Sequence, residues 1–378
     1  MPNARLRLIF AAVLSCISTS AFKPASAEET LRAYIGTFEA GPYVCEIEER
    51  SGEMQNLRQA AEIGGASFVA ISPDKQTLYC VGYADDDSVV VALRIGKGGD
   101  LEELNRLPVG AVGACHVSVS PDGRSVFAAM YSGHAVASFR ARQDGSLEKR
   151  ASLILHENGS GANANRQKAA HPHAVNVSPD GRHAYVTDLG QDRIAIYDIN
   201  GDTSALTPSD PAELKTPPGG GPRHMSIRED GLRAAVNLEL TSRVLLLKVD
   251  PETGGLSILD DVSSLPESAQ KVDNSTAECL FCQPPSGDDG GRVYVSNRGH
   301  DSVVAMRVAD DRLEPFEWTA PGDLIPRGFG VSDNGRMIGI GYRDSDSVRT
   351  LWVTEDTIVP TGQRVTVPKP VNVRFLRR

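Results

Sequence analysis

Apolar and polar residues alternate in short runs along most of the chain, and turn signals interrupt them about every eight to twelve residues. Ala174-Val175-Asn176-Val177 alternates as a strand. Ser178-Pro179-Asp180-Gly181 then reads as a tight turn, in which Pro and Asp set the bend and Gly relieves the backbone. Ala184-Tyr185-Val186-Thr187 predicts a second strand, Gln191-Asp192 a second turn and residues 194–198 a third strand, with a looser fourth to follow. Four short antiparallel strands of this kind form one blade of a β-propeller. No segment sustains a helical period, so α/β folds fit poorly.

The same phrase returns at intervals of about 50 residues, within the range of repeat architectures. Its copies are Ser72-Pro73-Asp74-Lys75, Ser120-Pro121-Asp122-Gly123, Ser178-Pro179-Asp180-Gly181, Arg228-Glu229-Asp230-Gly231 and Ser332-Asp333-Asn334-Gly335. Six units follow, with inner strands starting near Phe68, His116, Ala174, His224, Cys279 and Gly328. A seventh inner strand, Pro370-Val371-Asn372-Val373-Arg374-Phe375, has nothing after it to complete a blade. Ala33-Tyr34-Ile35-Gly36 and residues 42–47 supply the missing strands. The expected fold is all-β, a seven-bladed β-propeller whose closing blade joins both ends of the chain. Closure removes an exposed sheet edge; a sandwich or an open solenoid is the alternative.

Composition adjusts this picture in three places. The 378 residues carry a net charge of −10, which argues against a nucleic-acid partner and otherwise serves solubility. Arg5 and Arg7, the apolar run 8–22 and Ala25-Ser26-Ala27 read as an export signal, giving a leader at 1–27 and one propeller domain at 28–378. A periplasmic or secreted location follows, with Cys16 as a candidate lipid-anchor site. No other stretch reaches membrane-spanning length, and a monomer is expected. Cys45, Cys80, Cys115, Cys279 and Cys282 are odd in number and irregular in spacing, and so form no disulfide framework. They read as small buried apolar residues.

In a propeller, equivalent repeat positions lie at equivalent heights around the central channel. The residue five before each turn serine, or its equivalent, is Ser67, Cys115, His173, Arg223, Glu278 and Arg327. The residue four after each second-strand aromatic, or its equivalent, is Tyr83, Tyr131, Leu189, Glu239, Arg298 and Tyr342. The strands that carry these positions are antiparallel neighbours, so both columns should open at one mouth of the channel. The expected basin holds His173, Arg223, Arg298, Arg327, Glu239 and Glu278, walled by Tyr83, Tyr131 and Tyr342. A water-filled polar channel would also tolerate such charges. Three arginines, two glutamates and a histidine in two columns point instead to a site for an anion. Arginine takes carboxylate or phosphate in bidentate fashion, and His173 can serve as a general base. No metal and no cofactor is expected. His171-Pro172-His173 is a weak metal-ligand pattern, and no nucleophile elbow is present.

At these residues the chain resembles the seven-bladed lactonase family, which contains the propeller-type 6-phosphogluconolactonases and the fungal 3-carboxy-cis,cis-muconate lactonizing enzyme. The likeness spans nearly the whole mature chain, from Tyr34-Ile35-Gly36-Thr37 to Val371-Asn372-Val373. It is sharpest at Gly159-Ser160-Gly161, Arg166-Gln167, His171-Pro172-His173, Gly221-Pro222-Arg223-His224, Ser296-Asn297-Arg298-Gly299 and Pro326-Arg327-Gly328-Phe329. The resemblance implies His173, Arg223, Glu239 and Arg298 as catalytic residues. Arg327, Glu278, His171, His224 and Tyr131 are the expected substrate-binding residues. Two departures stand out. Ala277-Glu278-Cys279-Leu280 lacks a family histidine and precedes a turn expanded through Pro284-Pro285-Ser286-Gly287. Asn237-Leu238-Glu239-Leu240 stands where Asn-Glu-Leu is usual.

The first expectation is therefore an exported hydrolase that resembles 6-phosphogluconolactonase and opens a small anionic or sugar lactone. Export sits badly with a cytosolic sugar phosphate, which implies a different lactone or a different chemistry. A 3-carboxymuconate-type cycloisomerase and a non-catalytic ligand- or protein-binding propeller are the alternatives, because the fold alone does not settle function.

Overall fold

The structure is a computed structural model and describes residues 30–84, 86–283 and 290–377. The expected leader at 1–27, Cys16 and the expanded turn at Pro284–Gly287 lie outside the described residues. Seven four-stranded sheets follow one another around a ring. In the third blade the strands are Pro172–Val177, His183–Asp188, Arg193–Ile199 and Leu206–Lys215, all antiparallel, running from the channel outward. The closing blade places Pro370–Arg377 innermost, followed by Thr30–Thr37, Tyr43–Glu48 and Met54–Gln59. The ends of the chain pair in antiparallel register, with Val373 opposite Ile35. The fold is the expected seven-bladed propeller.

The repeated phrase makes the turns of the lower face. Ser178 Oγ donates to Asp180 Oδ1 (2.6 Å) and accepts from the His183 amide (2.9 Å). Asp180 Oδ1 also accepts from the Arg182 amide (3.0 Å). Gly181 sits at φ 76°, where a side chain is disfavoured. The copies starting at Ser72, Ser120 and Ser332 repeat the serine bonds. Lys75 occupies the glycine slot of the first copy at φ 62°.

Hydrophobic packing closes the ring. Seven buried clusters fill the seven seams between neighbouring blades, because each sheet is apolar on both faces. Leu31, Ala33, Ile35 and Val373 of the closing blade pack on Met337 and Val348 of the sixth. Tyr34 and Val44 pack on Val69 and Leu78 of the first.

The inner strands of the second to sixth blades share one irregularity. Each carries one extra residue near its upper end, where the pairing skips Cys115, His173, residues 223–224, residues 277–278 and Arg327. These are β-bulges, which break the two-residue alternation and re-aim side chains. In the fourth and fifth blades a neighbouring side chain takes up an amide of the bulge. The His224 amide donates to Asn237 Oδ1 (3.0 Å) and the Glu278 amide to Ser296 Oγ (2.9 Å).

If the terminal seam closes the ring, truncating its core must cost as much as any interior core deletion. Leu31→Ala should destabilise the protein by about 2–5 kcal/mol. Leu232→Ala, at an exposed position, should stay within about 0.5 kcal/mol. Urea unfolding of the two variants measures both.

Candidate active site

The bulge residues and the second column meet at the upper mouth. Glu239 follows the strand Arg233–Leu238 of the fourth blade, and its amide donates to the Gly221 carbonyl (2.8 Å). Its carboxylate is 5% exposed and faces three guanidinium groups. Arg166 Nη2 lies 2.7 Å from Oε1, Arg223 Nε 2.9 Å from Oε2 and Arg298 Nη2 3.0 Å from Oε2. The Arg223 contact is a charge contact rather than an aligned hydrogen bond, since its Nε–H points away from the line to the oxygen. Carbonyls fix the other sides of two arginines. Arg223 Nη1 donates to Ala277 O (2.6 Å) and Arg298 Nη2 to Thr276 O (2.7 Å).

The electrostatics are one-sided. Burial opposes ionisation of Glu239, but Arg298 and Arg223 outweigh it and hold its carboxyl well below the usual range. Arg298, nearly buried, is pushed down to about 10 by desolvation, with Glu239 opposing that shift. Arg327 has no carboxylate partner among the described residues. Its guanidinium stacks over Phe38 (4.9 Å), and burial together with Arg223 and Arg298 drives it well below its ordinary value. Three guanidinium groups thus share one carboxylate, and a fourth beside them has none.

His173 is buried beside this cluster. Desolvation, then Arg223 and His224, lowers it well below 6.5, so the ring is neutral at neutral pH. It stands edge-on to Tyr131 (5.5 Å between centroids) and to His224 (5.2 Å). Cys115 Sγ lies 4.0 Å from His173 Nδ1, but burial pushes the thiol up to about 11, and it remains protonated.

The other expected residues divide into two layers. Tyr131 joins the basin, where its hydroxyl accepts from Arg166 Nη2 (3.1 Å). His171 stacks on Tyr131 (4.2 Å) at the rim and turns Nδ1 to the Tyr131 carbonyl (2.9 Å). No group of three or more His, Cys, Asp or Glu side chains among the described residues is arranged to hold a metal ion. His224 and Glu278 lie one layer down, with His224 Nδ1 2.7 Å from Glu278 Oε1, and Glu278 does not join the Glu239 cluster. Tyr83 is half exposed. Tyr342 is not a wall of the basin. It is fully buried between the fifth and sixth blades with Tyr294 and Phe329, because its ring fills the seam rather than the channel.

Two residues that build the basin escape the column reading. Arg166 sits on the long connection between the second and third blades, where the repeat offers no slot. Its signal was the Arg166-Gln167 motif. Asp192, which reads as a plain turn residue, fastens that connection and the glycine-rich loop before Arg223. Oδ1 accepts from Gln167 Nε2 (2.6 Å) and the Gly221 amide (2.9 Å). Oδ2 accepts from Ser160 Oγ (2.8 Å) and the Gly219 amide (2.9 Å). Asp192→Ala would orphan the two amides and cost about 2–6 kcal/mol of local stability. Hydrogen exchange should speed up in residues 157–170 and 217–221 while the blade strands keep their protection.

The family model described as "Lactonase, 7-bladed beta-propeller" matches residues 32–375. The 6-phosphogluconolactonase of Bacillus subtilis is 30% identical over 363 residues, covering 91% of this chain and 98% of the relative. An uncharacterized protein of Staphylococcus saprophyticus is 28% identical over 92% of this chain and 100% of its own. Among solved structures, the periplasmic gluconolactonase of Pseudomonas aeruginosa superposes with a TM-score of 0.84 at 27% identity, over 92% of this chain and 99% of that one. With the ring of seven blades and the bulge-borne histidine and arginines in place, the chain belongs to the seven-bladed β-propeller lactonase family.

Proposed function

We propose that this protein is an exported lactone hydrolase that opens a sugar lactone carrying an anionic group. The observation that carries this reading is the charge imbalance of the basin, where Arg166, Arg223, Arg298 and the unpaired Arg327 face Glu239 alone. An anionic substrate supplies the missing negative charge. Export rests on the amino-terminal pattern at 1–27 and draws support from a structural neighbour named as periplasmic.

In the proposed reaction a water molecule attacks the lactone carbonyl while His173 takes its proton. Neutral His173 is suited to that role. Arg223 and Arg298 stabilise the oxyanion of the tetrahedral intermediate, and Glu239 holds both guanidinium groups in place beforehand. Collapse breaks the bond to the ring oxygen, which receives the proton from His173, and a hydroxy acid leaves. Arg327 and Arg166 clamp the substrate's anionic group.

Proton release on gluconolactone and its 6-phosphate, followed by pH-stat, tests this. His173→Ala and Arg223→Ala should each lower kcat/KM by about 10²–10⁴-fold. Hydrolysis surviving in both variants would sink the proposal. Loss of diene absorbance from a muconate, with no lactone opening, would select the cycloisomerase instead. The pH profile has a definite sign. A lowered His173 pKa keeps the basic form down to acid pH, so kcat/KM should stay flat through neutrality and fall only below pH 6.5. An acid limb centred above that value would contradict the assignment of His173 as base.

A further inference from the structure

Beneath the basin, four rings cross the channel. Phe68 and His116 lie 4.2 Å apart between centroids, His116 and His224 5.5 Å, and His224 and His173 5.2 Å. Below this septum is a second cavity of about 180 Å³, roomy enough for several water-sized groups. His116, Ser118, Asn176, His224, Glu278 and Arg374 are among its polar lining. They come from five blades, so the cavity is as much a product of the ring as the basin is.

Its lining is unlike that of a passive void. Buried polar atoms are as a rule hydrogen-bonded. Here Ser118 Oγ, Asn176 Nδ2, His224 Nε2 and Glu278 Oε2 are all buried with no partner among the described residues. Two of these side chains, His224 and Glu278, are more than nine-tenths buried. Arg374 stacks over Phe68 (5.0 Å) and spends Nη1 on the carbonyls of Phe329 (3.1 Å) and Val373 (3.0 Å), without an ion-pair partner among the described residues. The unused groups are of two kinds. Arg374, Asn176 and Ser118 offer donors. Burial, with Arg223 and Arg374 adding to it, keeps His224 neutral. Its Nδ1–H then donates to Glu278 Oε1, leaving Nε2 and Glu278 Oε2 as acceptors.

We infer that this lower cavity is a second ligand site, for a small hydroxycarboxylate. Arg374 and Asn176 take the carboxylate, and the Glu278–His224 pair takes the hydroxyl. No residue of the Glu239 cluster lines it, and His224 is its one ring contact with His173 above among the described residues.

Calorimetric titration of the whole protein with glycolate tests the site without reference to catalysis. Three proteins are compared: wild type, Asn176→Asp and the basin variant Arg327→Gln. A one-to-one binding event should persist in Arg327→Gln. Asn176→Asp, which sets a carboxylate where the ligand's own would lie, should weaken it by at least about tenfold. Acetate, lacking the hydroxyl, and glycolamide, lacking the charge, should each bind at least about fivefold more weakly than glycolate. Thermal melting of Asn176→Asp should match wild type, so that lost binding is not lost folding. Absence of binding, binding that vanishes in Arg327→Gln, or binding indifferent to Asn176→Asp would each overturn the site and leave the cavity to water. None of those results bears on lactone hydrolysis, which the pH-stat assay decides separately.

Discussion

Three arginines from three separate segments converge on the two oxygens of Glu239, and the basin is assembled around that convergence. Two unit charges about 4 Å apart interact by about 4 kcal/mol at an effective dielectric of about 20. Without the carboxylate, Arg223 and Arg298 would be buried like charges with no counter-ion. With it, they are held beside His173 before any substrate arrives. The arrangement stops short of neutrality, because Arg327 is left over. The same carboxylate therefore explains why the cluster is held together and why it keeps an excess of positive charge.

The propeller supplies the means of bringing these groups together. A regular strand would point alternate residues into the seams between blades, where the apolar clusters lie. One extra residue at the top of the inner strand turns His173, Arg223 and Arg327 toward the channel in the third, fourth and sixth blades. Asn237 and Ser296 on the adjoining strands take up the amides of His224 and Glu278 in the fourth and fifth blades. The matching bulge of the fifth blade presents Glu278, its second residue, to His224. Two chambers, divided by the aromatic septum, thus arise from a single irregularity repeated around the ring.

Much of this was legible in the residues themselves. The turn serines, the alternating strands and the orphan strand at the carboxyl end led to seven blades and their closure, because each depends on local chemistry that recurs in the repeat. His173, Arg223, Arg298, Arg327 and Glu239 were found by height alone, since a column in the repeat is a level in the channel. Height does not give direction, and Tyr342 stands at the right level but fills a seam. Glu278 is a different case: it holds the position of His224 in its strand, one residue past the column of Arg223, since Cys279 pairs with Val295 as Met225 pairs with Val236. Arg166 and Asp192 lie in connections whose lengths differ from blade to blade. Their roles come from bonds between segments distant in sequence, which no period could reveal.

In the proposed reaction the uncompensated guanidinium charge selects what the basin accepts. Its most direct test is the ratio of kcat/KM for gluconolactone 6-phosphate to that for neutral gluconolactone, measured in wild type and in Arg327→Gln. The charged lactone should be preferred by at least about tenfold in wild type, and the preference should collapse when Arg327 is neutralised. Equal rates on the two lactones in wild type, or a preference that survives Arg327→Gln, would contradict it.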